Sequence, residues 1–191
     1  MNKTRLEAFS DGVIAILITI MVLELKIPHG TDLDALKPLL PTLLAYFLSF
    51  IYLGIYWNNH HHMLQATRHI NGKVLWANLH LLFWLSLIPF VTGWMGENHF
   101  EPLPTAIYGC VLLMAAISFT ILQLSIVRHD DGENALLAEA VGGDLKGKIS
   151  MAFYVIAIPL AFVNEHISQA LFVLVALIWF VPDRRIEKRI N

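Results

Sequence analysis

The sequence predicts an all-α membrane protein, six transmembrane helices forming one domain over residues 1–191. Three observations predict it: 57% of the 191 residues are hydrophobic and only 15% are charged, the mean hydropathy is +0.61, and apolar runs of membrane-spanning length recur between polar punctuation. A water-soluble domain of this size lacks the polar surface to cover such a composition. Thirteen Lys and Arg against fifteen Asp and Glu leave a net charge of -2, so the basic footprint of a nucleic-acid binder is missing and no nucleic-acid partner is expected. A single cysteine, Cys110, rules out an intrachain disulfide framework and a Cys-based zinc site. Its apolar neighbourhood suits a small packed hydrophobe.

Crossing about 30 Å of hydrocarbon takes about 20 mostly apolar residues. The first span, 8–25, is interrupted only by Ser10, Asp11, Gly12, Thr19 and Glu24. Lys3 and Arg5 precede it as in a secretory signal, but no small-residue cleavage site follows and Asp11 breaks the apolar region, so a retained helix is expected. Spans 39–57, 74–95 and 106–127 contain no Asp, Glu, Lys or Arg. Two shorter runs follow, 149–163 and 170–181, which suit either spans of little tilt or a tight hairpin around Asn164, Glu165 and His166. Pro159 is expected to kink the fifth span.

Six spans put both termini on one side. Eleven of the thirteen Lys and Arg fall on that side and only Lys26 and Lys37 on the other, which predicts cytoplasmic termini. The long cytoplasmic connection around 128–148 reads as a solvated linker with a short helix at 135–141. No extramembrane domain is large enough to hold an active site, so an enzyme is not expected.

An ionisable group inside a span is costly unless it faces protein or water. At 1.5 Å per residue, Asp11 lies about 9 Å past Arg5 and Thr19 about 12 Å deeper, near the midplane. Glu7 stands one helical turn before Asp11, and like charges at that spacing repel, so a cationic or donor partner is required from Arg5 or another helix. Asp11 is thus either a functional acid or a capping acid near a wet interface. Gly12, Ile16, Thr19, Ile20 and Leu23 form one helical stripe, which suits a helix contact or a pore wall. Ser10 and Asp11 beside it suggest water on that face.

The second span ends in Trp57-Asn58-Asn59-His60-His61-His62. Successive helical residues point about 100° apart, so the three imidazoles cannot share one metal ion without ligands from elsewhere. They serve equally well as partners of Asp11 or, with Trp57, as an interfacial belt. In the third span Asn78 will seek a hydrogen bond between helices, as glue or as function. The run Val91-Thr92-Gly93-Trp94 has a filter-like composition but ends a span instead of forming a re-entrant loop.

The run Arg5-Leu6-Glu7-Ala8-Phe9-Ser10-Asp11 resembles the signature Arg, three residues, Phe-Ser-Asp of the transmembrane protein 175 potassium channel family. The Gly12 to Thr19 sequence, Leu23-Glu24, the spacing of Trp57 and His60, Leu75-Trp76-Ala77-Asn78-Leu79 and Ile88-Pro89-Phe90 are similar to its bacterial branch. The resemblance implies a weakly selective, potassium-preferring cation channel without a carbonyl filter, a multi-pass protein of the cell (inner) membrane. Ile16, Ile20 and Leu23 would then be apolar constrictions and Thr19 a hydroxyl ring. Arg5, Phe9, Ser10, Asp11, His60, Trp76 and Asn78 would form a cytoplasmic-side network. One pore-lining helix cannot enclose a pore, so the implied assembly is a homotetramer in lipid with the first helices around a central axis. Potassium and other monovalent cations are the permeant ions, with no cofactor or bound metal. Two other functions fit the residues: a proton-coupled carrier relaying through Asp11, Glu7 and His60, and a membrane metalloenzyme built on His60 to His62.

Overall fold

A computed structural model describes residues 2–67, 70–127 and 144–180 of the chain. The expected helix at 135–141, His69, and the cations Arg68, Arg128, Arg184, Arg185, Lys188 and Arg189, which the sequence reading expects on the cytoplasmic side, lie outside them. The described residues form helices and no strand. Helix α1 (Lys3–Ile20) starts at Asn2, whose Oδ1 accepts from the Thr4 amide at 3.1 Å, satisfying one of the free amides of a helix start. A 3₁₀ turn, Met21–Glu24, extends it. A second 3₁₀ segment, Leu33–Leu39, leads into α2 (Leu40–Ala66).

The third span is two helices, α3 (Gly72–Ser86) and α4 (Ile88–Glu97), separated at Leu87. Pro89 has no N–H to offer the carbonyl of Leu85, so the ladder lapses there. It resumes with the Val91 amide on the Leu87 carbonyl at 3.1 Å. Helix α5 (Pro102–Val127) follows, then α6 (Leu145–Leu160) and α7 (Glu165–Phe180). Pro159, expected to kink the fifth span, lies inside α6 one residue before it ends at Leu160. Asn164 Oδ1 accepts from the amides of His166 and Ile167 at 3.0 and 3.3 Å, turning the chain into α7 and closing the hairpin.

By length and composition, Lys3–Glu24, Leu33–Gln65, Gly72–Glu97 and Pro102–Val127 can each cross a membrane. Helices α6 and α7 have 16 residues each, about 24 Å, and complete a six-rod bundle. Large apolar side chains such as Phe47, Phe83, Phe90 and Leu177 point outward from it. Helices apolar on every face belong in lipid, and the chain is a multi-pass membrane protein.

Helix α5 is the centre, packed on α3, α4, α6 and α7. Because the Thr92 hydroxyl donates to the Ile88 carbonyl at 2.6 Å, Ser49 donates to Thr92 at 2.7 Å and Tyr108 to Ser49 at 2.9 Å. This buried chain joins α2, α4 and α5 with each hydroxyl donating once, the kind of polar glue that apolar bundles use. Thr92 is therefore a packing residue on a helix, not part of a filter. Helix α1 stands at one side, packed mainly on α2, α3 and α4.

At Gly96 the backbones of α2 and α4 nearly touch: a Cβ there would lie 2.5 Å from Thr42 Cα. Gly96→Val has no flexible neighbour to displace and is expected to cost about 2 kcal/mol by overpacking, read as a lower thermal midpoint in detergent. Gly12→Ala, with nothing within 4 Å of its added Cβ, should leave that midpoint unchanged.

Candidate pore-lining helix and its polar clamp

Helix α1 carries two opposite faces. Leu6, Ser10, Ile14, Leu17 and Met21 are buried, at steps of three and four along the helix and its extension. On the other side Phe9, Gly12, Ile16, Thr19, Ile20 and Leu23 form an uncovered edge, with Ile16 56%, Ile20 40% and Leu23 77% exposed. The stripe read from the sequence is thus one continuous open edge of the chain. Thr19 Oγ1 donates to the Ile16 carbonyl at 2.9 Å. Its hydrogen is committed to the helix, so the lone pairs of that oxygen face outward.

Ser10 faces inward and is fully buried, as are Asn78 and, nearly, His60. Asn78 Nδ2 donates to Ser10 Oγ at 3.0 Å, and its Oδ1 accepts from His60 Nε2 at 2.7 Å. A carbonyl oxygen only accepts, so Nε2 of His60 holds the hydrogen. One amide thus clamps α1 to α2 through α3 by bonds between buried polar groups. Such groups gain little net from pairing, but each costs about 1–3 kcal/mol if left unpaired in a buried site.

Asp11 is absent from that clamp. Its partner is neither Arg5 nor a histidine: Oδ1 accepts from the Trp57 indole N–H at 3.0 Å. Glu7 is held by Lys3 instead, with Nζ 3.7 Å from Oε1, and the same ammonium donates to the Gln65 carbonyl at the end of α2 at 2.9 Å. These attachments answer the repulsion between Glu7 and Asp11 without Arg5. Arg5 and Phe9 are exposed. Trp76, expected in the same network, is 75% exposed and lines an open groove with Lys73, His80 and Ser125. Position 76 lies two residues from Asn78, and a two-residue step on a helix turns about 200°, so the side chain that faces the clamp at 78 excludes the one at 76.

Sequence reasoning left Trp57 as a membrane-interface residue. The available signal was its indole N–H, which needs an acceptor in an apolar setting, and Asp11 was the acid at matching depth. The three histidines diverge: His60 bonds Asn78, His61 stacks on Trp57 with ring centres 5.9 Å apart and contacts Gln65, and His62 meets His61 edge-on. Among the described residues no group of three His, Cys, Asp or Glu gathers in metal-binding geometry. Glu7, Asp11 and His60 likewise have separate partners, so no direct relay links them.

Asn78→Ala removes both bonds of the clamp and strands Ser10 and the His60 N–H. A loss of about 2–4 kcal/mol is expected, measured as thermal or denaturant unfolding in detergent. Trp57→Phe keeps the ring and its stacking on His61 but removes the Asp11 bond, and should cost clearly less than Asn78→Ala.

Residues 5–89 match the family model described as endosomal/lysosomal potassium channel TMEM175, a stretch that contains the open edge, the clamp and Trp57. A potassium channel of Chryseobacterium sp. (strain P1-3) is 56% identical over 191 residues, covering 100% of this chain and 99% of that protein. A potassium channel of Streptomyces collinus is 30% identical over 93% of this chain and 91% of its own. The crystal structure of a lysosomal potassium-selective channel TMEM175 homolog from Chamaesiphon minutus superposes with a TM-score of 0.81 at 26% identity, covering 96% of this chain and 97% of that one. With its signature, its bundle and near full-length relatives in agreement, the chain belongs to the TMEM175 channel family.

Proposed function

We propose that the chain is the pore-forming subunit of a potassium-preferring, weakly selective cation channel, a homotetramer in the cell (inner) membrane with cytoplasmic termini. The open edge of α1 carries this reading. Four such edges around one axis would bury the Ile16, Ile20 and Leu23 side chains that the single chain leaves uncovered. They would form apolar necks there, with Thr19 oxygens between them. A ring of isoleucines narrow enough to shed water is a barrier that opens when the helices spread or rotate. Selectivity would rest on how easily a partly dehydrated ion passes the neck, with hydroxyl oxygens as weak compensation, which supports a modest preference for potassium. Asp11 near the inner mouth would raise the local cation concentration. Permeant potassium would be the only small ligand, and Arg5, Phe9 and Trp76, outward-facing in one chain, would meet lipid or a neighbouring subunit.

Purified protein in a planar bilayer, with potassium on one side and sodium on the other, should pass current in discrete steps and reverse at a voltage favouring potassium. Ile16→Asn is expected to raise the open fraction severalfold, and Thr19→Ala to move the reversal voltage toward zero. Equal behaviour of parent and both variants would reject the assigned pore. Saturable uptake that collapses with the pH gradient and shows no steps would instead establish a proton-coupled carrier using Asp11 and His60.

A further inference from the structure

The outer end of α1 is fastened to α4 at two points one helical turn apart. The first is Glu24. It closes the 3₁₀ turn Met21–Glu24, and its side chain lies along buried Gly93. A Cβ on Gly93 would stand 2.5 Å from Glu24 Oε2, 3.1 Å from Cδ and 3.3 Å from Cγ. The second is Lys26, whose Nζ is 2.9 Å from Glu97 Oε1. That pair is exposed and is worth little by itself.

The placement of Glu24 is not explained by local electrostatics. A negative charge at the C-terminal end of a helix opposes the helix dipole, and no hydrogen-bond donor among the described residues serves the carboxylate. Only glycine at 93 leaves room for it, because a residue without Cβ lets a side chain lie against the backbone. In the same turn Met21 is fully buried while Leu23, the neighbour of Glu24, is the most open large apolar side chain of the edge at 77%. Wherever Glu24 is seated, the Leu23 side chain is aimed.

We infer that Glu24 is a positioning residue: seated over Gly93, it fixes the outer turn of α1 and thereby the direction of the Leu23 side chain at the outer neck. This deepens the proposed pore and rests on that reading for its functional meaning. It assigns Glu24 a packing role, distinct from an acid that merely attracts cations to the outer mouth. Gly93→Ala should then act like Glu24→Ala, since one evicts the side chain and the other deletes it, whereas Glu24→Gln keeps the shape and loses only the charge.

The test uses full-length protein in lipid nanodiscs with Cys110→Ala and Leu23→Cys, following alkylation by neutral N-ethylmaleimide with mass spectrometry. Glu24→Ala and Gly93→Ala are each expected to change the alkylation rate about threefold, the scale set by one weak Cα–H contact. The double variant should match either single one, and Glu24→Gln should stay near the parent. The inference is overturned if Glu24→Gln behaves as Glu24→Ala while Gly93→Ala does nothing, if the two alanine effects multiply, or if no variant changes the rate. Oxidising the parent Leu23→Cys protein separates the two ideas. Disulfide-linked dimers support edges that face one another, and their absence counts against the pore while leaving the alkylation result to judge Glu24.

Discussion

The burial of one hydroxyl sets the rotational phase of α1. Ser10 is fully buried in the bundle, and Asn78 supplies its bond only while the helix presents residue 10 inward. Turning α1 by a single residue, about 100°, would strand Ser10, break the amide that also holds His60, and expose the Ile14 and Leu17 side chains that fill the seam. With the phase fixed, the 3.6-residue period of α1 leaves no choice about the opposite side: Gly12, Ile16, Thr19 and Ile20 must face out. The apolar edge and the polar clamp are therefore one decision seen from two faces of a helix.

The attachments of α1 differ along its length. Near its start, Lys3 joins it to the end of α2 and Asp11 joins it to Trp57. Beyond its end, Glu24 and Lys26 join it to α4. Between Asp11 and Met21, only apolar packing holds it among the described residues. Polar attachments thus lie near its start and, through Lys26, beyond its end.

The spans and the open stripe were legible in the sequence because both are periodic properties of single segments: apolar length for the spans, steps of three and four for the stripe. Partners were less legible because they depend on how helices come together. Asp11 and Trp57 are 46 positions apart and Ser10 and Asn78 are 68 apart, and no local pattern pairs them. The family resemblance names Ser10, His60 and Asn78, which hydrogen-bond to one another in the structure, together with Trp76, which does not join them. Helical geometry sends that ring outward in the single chain. Pro89 and Pro159 show the same limit. Both are visible in the sequence, yet whether proline breaks a helix or merely sits near its end depends on where neighbouring elements stop.

The central claim is that Ile16, and not the buried face behind it, borders the path of the ion. The most direct measurement is block of potassium current by silver, a monovalent ion that binds thiolates, in bilayers holding Ile16→Cys or Leu17→Cys with Cys110→Ala. The account predicts progressive, lasting loss of current for Ile16→Cys and none for Leu17→Cys, whose position is 7% exposed on the inner face. Loss at residue 17 with current spared at residue 16 would contradict it.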